Sequence, residues 1–281
     1  HRLIRRQRQM CIRDRSKKSY TPQNIGELKN DYDLFISGSD QVWSPRCVGF
    51  DPAYFLTFAD DKQKYSYAAS FAVPTLPDEF IDEYKKRLNG FQKFSVREPS
   101  GEKLVKELTG RTAETHLDPT LLISADEWKK IAVSKIDKPY ILIFTANPAV
   151  SLVDFALKLS KEKNLPVYCI NDAPHPVSHG INYIVAPTVE EFVGCFKNAE
   201  YVVTNSFHGT AFSVIFNKNL FVEFKNKSGR NIRSEGLLKS LGIDREIVDG
   251  NCRETEINWY DVNEKIKNQT IISLDLSLIH I

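Results

Sequence analysis

Tyr201–Asn217 reads YVVTNSFHGTAFSVIFN. Tyr201-Val202-Val203 is a short apolar run of strand-forming residues. Asn205-Ser206-Phe207-His208-Gly209 follows as a polar turn containing a glycine. Thr210–Phe216 is apolar again and long enough for a buried helix. A strand that ends in polar residues and turns into a helix places them at the carboxyl edge of a sheet, beside a helix N-terminus. Open α/β sheets bind ligands at that edge, and anions are favoured there. His208 sits in this turn and is the expected centre of an active site.

The flanking chain repeats the pattern. Tyr140–Phe144 is a continuous apolar strand, as in parallel sheets covered on both faces. Leu152, Phe155, Ala156 and Leu159 then recur at helical spacing. Leu165–Ile170 and Ile181–Val185 read as strands, and Thr188 with Glu191 forms a capping box for a helix over 188–198. Leu220–Phe224 is the next strand, followed by a basic loop, Lys225–Arg233, and helices over 233–241 and 259–270. Upstream, strands at 33–36, 64–72 and 94–98 alternate with helices at 77–88 and 98–109. The polar stretch 133–138 divides the halves, giving domains over 17–135 and 138–275. The alternation predicts an α/β protein of two doubly wound domains facing a cleft.

The ends differ from the middle. Residues 1–15, HRLIRRQRQMCIRDR, carry six arginines and one acid. Met10–Arg15 can be encoded by ATGTGTATAAGAGACAG, and the reverse complement of that string encodes Leu-Ser-Leu-Ile-His-Ile, which is Leu276–Ile281. One DNA tag read in opposite senses at the two ends marks 1–15 and 276–281 as adaptor-derived, and the natural part as an internal fragment. Taking six arginines and one acid from 38 basic and 36 acidic residues leaves 32 against 35, a balance of −3 instead of +2. The argument for nucleic acid goes with the tag. Outside it the cysteines, Cys47, Cys169, Cys195 and Cys252, form no CxxC pair and read as reduced thiols of a cytoplasmic protein. His175 and His179 lack a matching acid or Cys cluster, so no metal site is expected. At 281 residues, 42% hydrophobic and 26% charged, the chain has no run near the roughly 20 apolar residues of a membrane span.

Four polar groups fall at strand ends or in adjacent loops. They are Ser37-Gly38-Ser39-Asp40, Arg97, Asn205–Gly209 and the basic 225–233 loop with Arg230 and Arg233. An arginine at a strand terminus suits bidentate capture of a carboxylate or phosphate, though an ion pair with Glu98 or Glu102 explains it equally. Gly38 permits close backbone approach or an unusual φ. Trp43 reads as packed beneath the 37–45 loop, and His116 as structural.

The segments DYDLFISGSDQVW (31–43), FSVRE (94–98), HLDPT (116–120), YVVTNSFHGTAFSVIF (201–216) and RNIRSEGLLKSLGI (230–243) together resemble the polysaccharide pyruvyl transferase family. The resemblance runs over nearly all of 31–270. It implies two Rossmann-like domains resembling the glycosyltransferase B architecture, the first incomplete. It also implies transfer of a pyruvyl group from phosphoenolpyruvate to a sugar of a cell-surface polysaccharide or its lipid-linked precursor, with no further cofactor, in the cytoplasm or at the inner membrane face. Matched positions make His208 the acid/base and Arg97 a donor contact; Asn205, Ser206, Gly209, Arg230 and Arg233 complete the anion site, and Ser37–Asp40 a cleft loop. Members of the family carry arginine two residues before the histidine. Here that position is Ser206, so one anion contact is either missing or supplied by Arg230, Arg233 or the N–H groups of the 208–210 turn. Two other readings keep the architecture: a nucleotide-sugar-dependent glycosyltransferase, for which Glu223 is the nearby ribose-binding acid, and a non-catalytic carbohydrate- or anion-binding relative.

Overall fold

The computed structural model describes residues 18–46, 50–146, 149–171, 180–226, 229–252 and 254–280, with backbone alone at 171, 225–226, 229–230 and 276–280. The 1–15 stretch, Cys47, His175, His179 and Ile281 lie outside the described residues, as does the side chain of Arg230. The chain forms two units. One runs up to Leu122 and resumes at Lys265; the other is Ile123–Glu264.

In the first unit Phe35–Ser37 (β1) pairs in parallel with Lys64–Ser66 (β2), and Ser95–Val96 (β3) with Glu114–Thr115 (β4). Parallel bridges Tyr65↔Lys93 and Ala69↔Val96 carry the pairing from β2 to β3. Ile81–Leu88 (α1) and Pro99–Thr109 (α2) link the strands, and Pro119–Leu122 (α3) follows β4. Helix α2 buries Leu104, Val105 and Leu108, the stripe its spacing predicts. Trp43 is 0% exposed, as expected from its loop. Its ring meets those of Phe71 and Phe91, both at 5.3 Å, and its Nε1–H donates to the Tyr54 carbonyl (3.2 Å). A large aromatic body is thereby buried with its polar handle satisfied. Gly38 adopts φ +124°, and a Cβ there would lie 2.1 Å from the Tyr67 carbonyl oxygen. Its freedom is used for packing against its own chain.

The second unit opens with Ala125–Ile131 (α4), whose N-cap Ser124 accepts from the Glu127 N–H (3.2 Å). Ile141–Phe144 (β5), Val167–Asn171 (β6), Ile181–Val185 (β7), Tyr201–Thr204 (β8) and Asn219–Val222 (β9) form one parallel sheet in the order β7-β6-β5-β8-β9. Val150–Lys163 (α5) follows β5, Val189–Asn198 (α6) follows β7, and Phe207–Ile215 (α7) follows β8. The central strand β5 faces both layers. Ile141 and Ile143 pack with Leu152, Phe155 and Leu159 of α5, while Leu142 packs with Val193 and Phe196 of α6 and Phe212 of α7. Period-2 alternation between two apolar faces explains why β5 reads as a continuous apolar run. Thr188 and Glu191 form the expected capping box (3.2 and 3.1 Å). The 225–233 stretch holds a short antiparallel hairpin, Lys225–Asn226 (β10) with Gly229–Arg230 (β11), before Ile232–Leu241 (α8).

The units divide at Leu122/Ile123, ahead of the polar 133–138 stretch. The reason is α4: Trp128 packs on Phe212 (5.1 Å between ring centroids) and the Val133 N–H bonds to the Glu190 carbonyl (2.9 Å), which ties the segment to α6 and α7. The last helix, Trp259–His280 (α9), runs ten residues past the expected end at 270. Its Ser273 Oγ accepts from the Leu117 N–H (3.1 Å) of the first unit. Cys169 and Cys195 are buried free thiols, each pushed up to about 11 by burial. No helix among the described residues is long and apolar enough to cross a membrane.

Candidate functional site

Sheet order places His208. After β5 the chain proceeds to β6 on one side; after β8 it proceeds to β9 on the other. The β5/β8 pair is therefore the topological switch point, where open α/β sheets form a crevice at their carboxyl ends. Phe144 is in register with Thr204 at that edge. Thr204 Oγ1 donates to the Phe144 carbonyl (2.6 Å) and accepts from the Ser206 N–H (3.0 Å). Asn205 Oδ1 accepts from the Ala146 N–H (2.9 Å). The side chains that look like ligand contacts in sequence thus pin the turn first.

Ser206 is buried and caps α7, accepting from the Gly209 N–H (3.4 Å). At this position an arginine would forfeit the cap, worth typically about 1 kcal/mol. Gly209 is required by packing: a Cβ would sit 2.2 Å from Thr204 Oγ1 and 3.2 Å from Phe144 Cδ1. Alanine gains about 1 kcal/mol over glycine in a helix, while forcing atoms into a packed site costs about 1–3 kcal/mol. Gly209→Ala is therefore expected to lower the denaturant midpoint; a midpoint at or above the parent's contradicts this packing.

His208 is half-buried on the first turn of α7, and its ring meets the Phe207 ring edge-on at 5.4 Å. Arg233, on the first turn of α8, lies with its guanidinium carbon 5.7 Å from the same Phe207 ring. The structure thus brings His208 and Arg233 to one aromatic ring, although 25 residues separate them in the chain. Neither Asn231 nor Ser234 stands out in sequence, yet Asn231 caps α8 and both are buried where α8 meets α7. The N-cap pattern of Asn231 ahead of Leu237-Leu238 is the signal that would have found the cap. Glu223 has its carboxylate bonded to Ser151 Oγ (2.5 Å) on the first turn of α5 and is 9% exposed. That bond joins α5 to the end of β9.

The expected first-unit site is organised around Arg97. Its side chain is 2% exposed and pairs with Asp118 Oδ2 at 2.6 Å, the aspartate likewise 2% exposed. A second carboxylate, Asp40, more than half exposed, lies at 3.0 Å. Arg97 Nη2 also donates to Ser39 Oγ (2.5 Å), whose own proton goes to Asp118 Oδ2 (2.9 Å) or the Ala68 carbonyl (3.1 Å). Two carboxylates thus flank one guanidinium. The expected anion-site groups of the 37–40 loop are engaged within their own unit: the hydroxyl of Ser37 is turned onto the Tyr54 carbonyl, Gly38 packs against Tyr67, and Ser39 and Asp40 bond Arg97. Glu98 Oε1 takes the Phe71 and Ala72 N–H groups (both 3.0 Å) and the Ser70 hydroxyl (2.9 Å), and Glu102 takes the Thr115 hydroxyl. Asp118, read from sequence only as the start of an Asp-Pro turn, is the missed member. His116 is structural, as expected: Ser95 Oγ lies 3.0 Å from its Nδ1, and burial holds its pKa below the ordinary value against the opposing pull of Glu114.

No curated protein matches the sequence significantly. Two solved structures of the UDP-GlcNAc 2-epimerase of Methanocaldococcus jannaschii, one in complex with UDP-GlcNAc and UDP, match at 10% and 13% identity with TM-scores of 0.41 and 0.32. They cover 66% and 74% of this chain, which spans 56% and 55% of theirs, little more than half their length. The family model for polysaccharide pyruvyl transferase matches residues 2–222, a span that takes in Arg97, the β5/β8 switch point and the His208 turn. The chain belongs to the polysaccharide pyruvyl transferase family.

Proposed function

We propose that this protein transfers a pyruvyl group from phosphoenolpyruvate to two hydroxyls of a sugar, in a polysaccharide or a lipid-linked precursor. The observation that carries this reading is His208 on the first turn of α7, at the carboxyl edge of the switch-point strands, in a chain of this family. The chemistry balances with these groups. A proton passes to the methylene carbon of phosphoenolpyruvate, and C2 takes on oxocarbenium character. One sugar hydroxyl adds to C2 and a second displaces phosphate there, each losing a proton, which leaves a methyl ketal and inorganic phosphate. No electrons change hands, so the reaction calls for no redox cofactor. His208 is the proton donor, since an imidazole titrates near neutral pH. The N–H groups at the start of α7, with Arg233 and Arg230, receive the donor's anionic groups. Ser206 contributes the cap.

The reading is tested by melting the protein with phosphoenolpyruvate and, separately, with a panel of nucleotide-sugars. A ligand at a hundredfold its Kd stabilises by about 2.7 kcal/mol, a rise of roughly 5–10 °C for a chain of this size. Phosphoenolpyruvate is expected to give that rise and nucleotide-sugars none. The reverse pattern selects glycosyl transfer, and no response to either selects a non-catalytic relative.

A further inference from the structure

The starts of α7 and α8 are joined by a buried polar chain. Asn231 is 7% exposed, Ser234 and Thr210 0%, Asn205 1% and Ser206 7%. The Asn231 side-chain amide uses both of its N–H donors and its oxygen at this junction. Its Nδ2 donates to the Asn205 carbonyl (3.0 Å) and to Ser234 Oγ (2.9 Å), while its Oδ1 accepts from the Ser234 N–H (3.4 Å) and so caps α8. From the α7 side, Thr210 Oγ1 lies 3.2 Å from Ser234 Oγ and 3.0 Å from the Ser206 carbonyl. Main chain completes the junction, as the Asn231 N–H donates to the Phe224 carbonyl (2.6 Å) at the end of the strand neighbouring β8.

Such a network is not the simplest way to fill a core. Apolar residues of similar volume hold two helices together without any polar group to satisfy. What an amide bonded to both elements adds is register. The Asn231 side chain touches both the turn before α7 and the first turn of α8, and His208 and Arg233, at the starts of those helices, both meet the Phe207 ring. We propose that Asn231, with Ser234, is a positioning residue for the reaction: it locks the His208 turn against α8 so that the imidazole and the Arg233 guanidinium keep their places at the Phe207 ring. The proposal rests on the reading of His208 as proton donor.

Asn231→Ser separates capping from clamping. Serine caps a helix about as well as asparagine, but it lacks the two amide donors that reach Asn205 and Ser234. Ser234→Ala is the second variant, removing the hydroxyl shared by Asn231 and Thr210. Both are measured for melting temperature, for kcat and KM with phosphoenolpyruvate and an acceptor glycan, and for the pH titration of the His208 ring by NMR, assigned with His208→Gln. The expected result is a folded protein with kcat lower by about tenfold to a hundredfold, KM little changed, and a displaced His208 midpoint. The NMR titration needs no substrate, so it stands even if the parent protein turns over no phosphoenolpyruvate. The proposal is overturned if either variant folds with parental kcat and His208 midpoint, or if both fail to fold, which would make the network a folding element alone.

Discussion

His208→Ala is expected to lose phosphate release from phosphoenolpyruvate and acceptor glycan by about 10²–10⁴-fold in kcat, the usual contribution of a positioned acid or base. His208→Gln should fail equally, because an amide donates hydrogen bonds but does not gain or lose a proton near neutral pH. Neither change should cost more than about 1–2 kcal/mol of stability, since the side chain is half-buried and packs edge-on to Phe207 in place of filling the core. Phosphoenolpyruvate should still raise the melting temperature of both variants, because in the proposed site its anionic groups meet the α7 N–H groups and Arg233. Binding kept and chemistry lost is the pattern of a group that acts in the transition state. Turnover within a few-fold of the parent would remove His208 from the chemistry, and loss of the thermal shift along with turnover would make it a binding group instead.

The second unit was legible because its signals are local. Tyr140–Phe144 has no polar position, Thr188 and Glu191 spell a capping box, and Tyr201–Gly209 changes from strand to turn within a few residues. Periodicity and capping are short-range physics, and they sufficed to place His208 at a helix start beside a sheet edge. Partnership is different. Arg97 meets Asp118 across 21 residues and Asp40 across 57, and Asn231 reaches back 26 residues to Asn205. No spacing rule announces such pairs, because tertiary packing brings them together. The same limit explains α4, which looked like the end of the first domain until Trp128 found Phe212. It explains Ser206 as well. Motif comparison showed a missing cation there, and only the backbone geometry showed what serine does instead.

Arg97→Ala distinguishes an ion-pair partner of Asp118 from a donor contact. The buried pair with Asp118 has both side chains 2% exposed, so deleting the guanidinium leaves a buried carboxylate with its counter-ion gone. Breaking such a pair from one side costs about 3–5 kcal/mol, which for a chain of this size lowers the melting temperature by roughly 6–20 °C. Asp118→Ala should cost a similar amount from the other side. Asp40→Ala should cost far less, because that carboxylate is more than half exposed and its pairing is screened by water. An apolar double replacement, Arg97→Met with Asp118→Leu, should recover much of the loss, since neither charge is then stranded. A donor-site arginine predicts a different signature: melting temperature unchanged, KM for phosphoenolpyruvate raised, and no rescue by the double variant. The two outcomes separate cleanly in a thermal melt alone. The geometry favours the first, because an incoming carboxylate or phosphate would have to displace Asp118 from a 2.6 Å contact in a site closed to water.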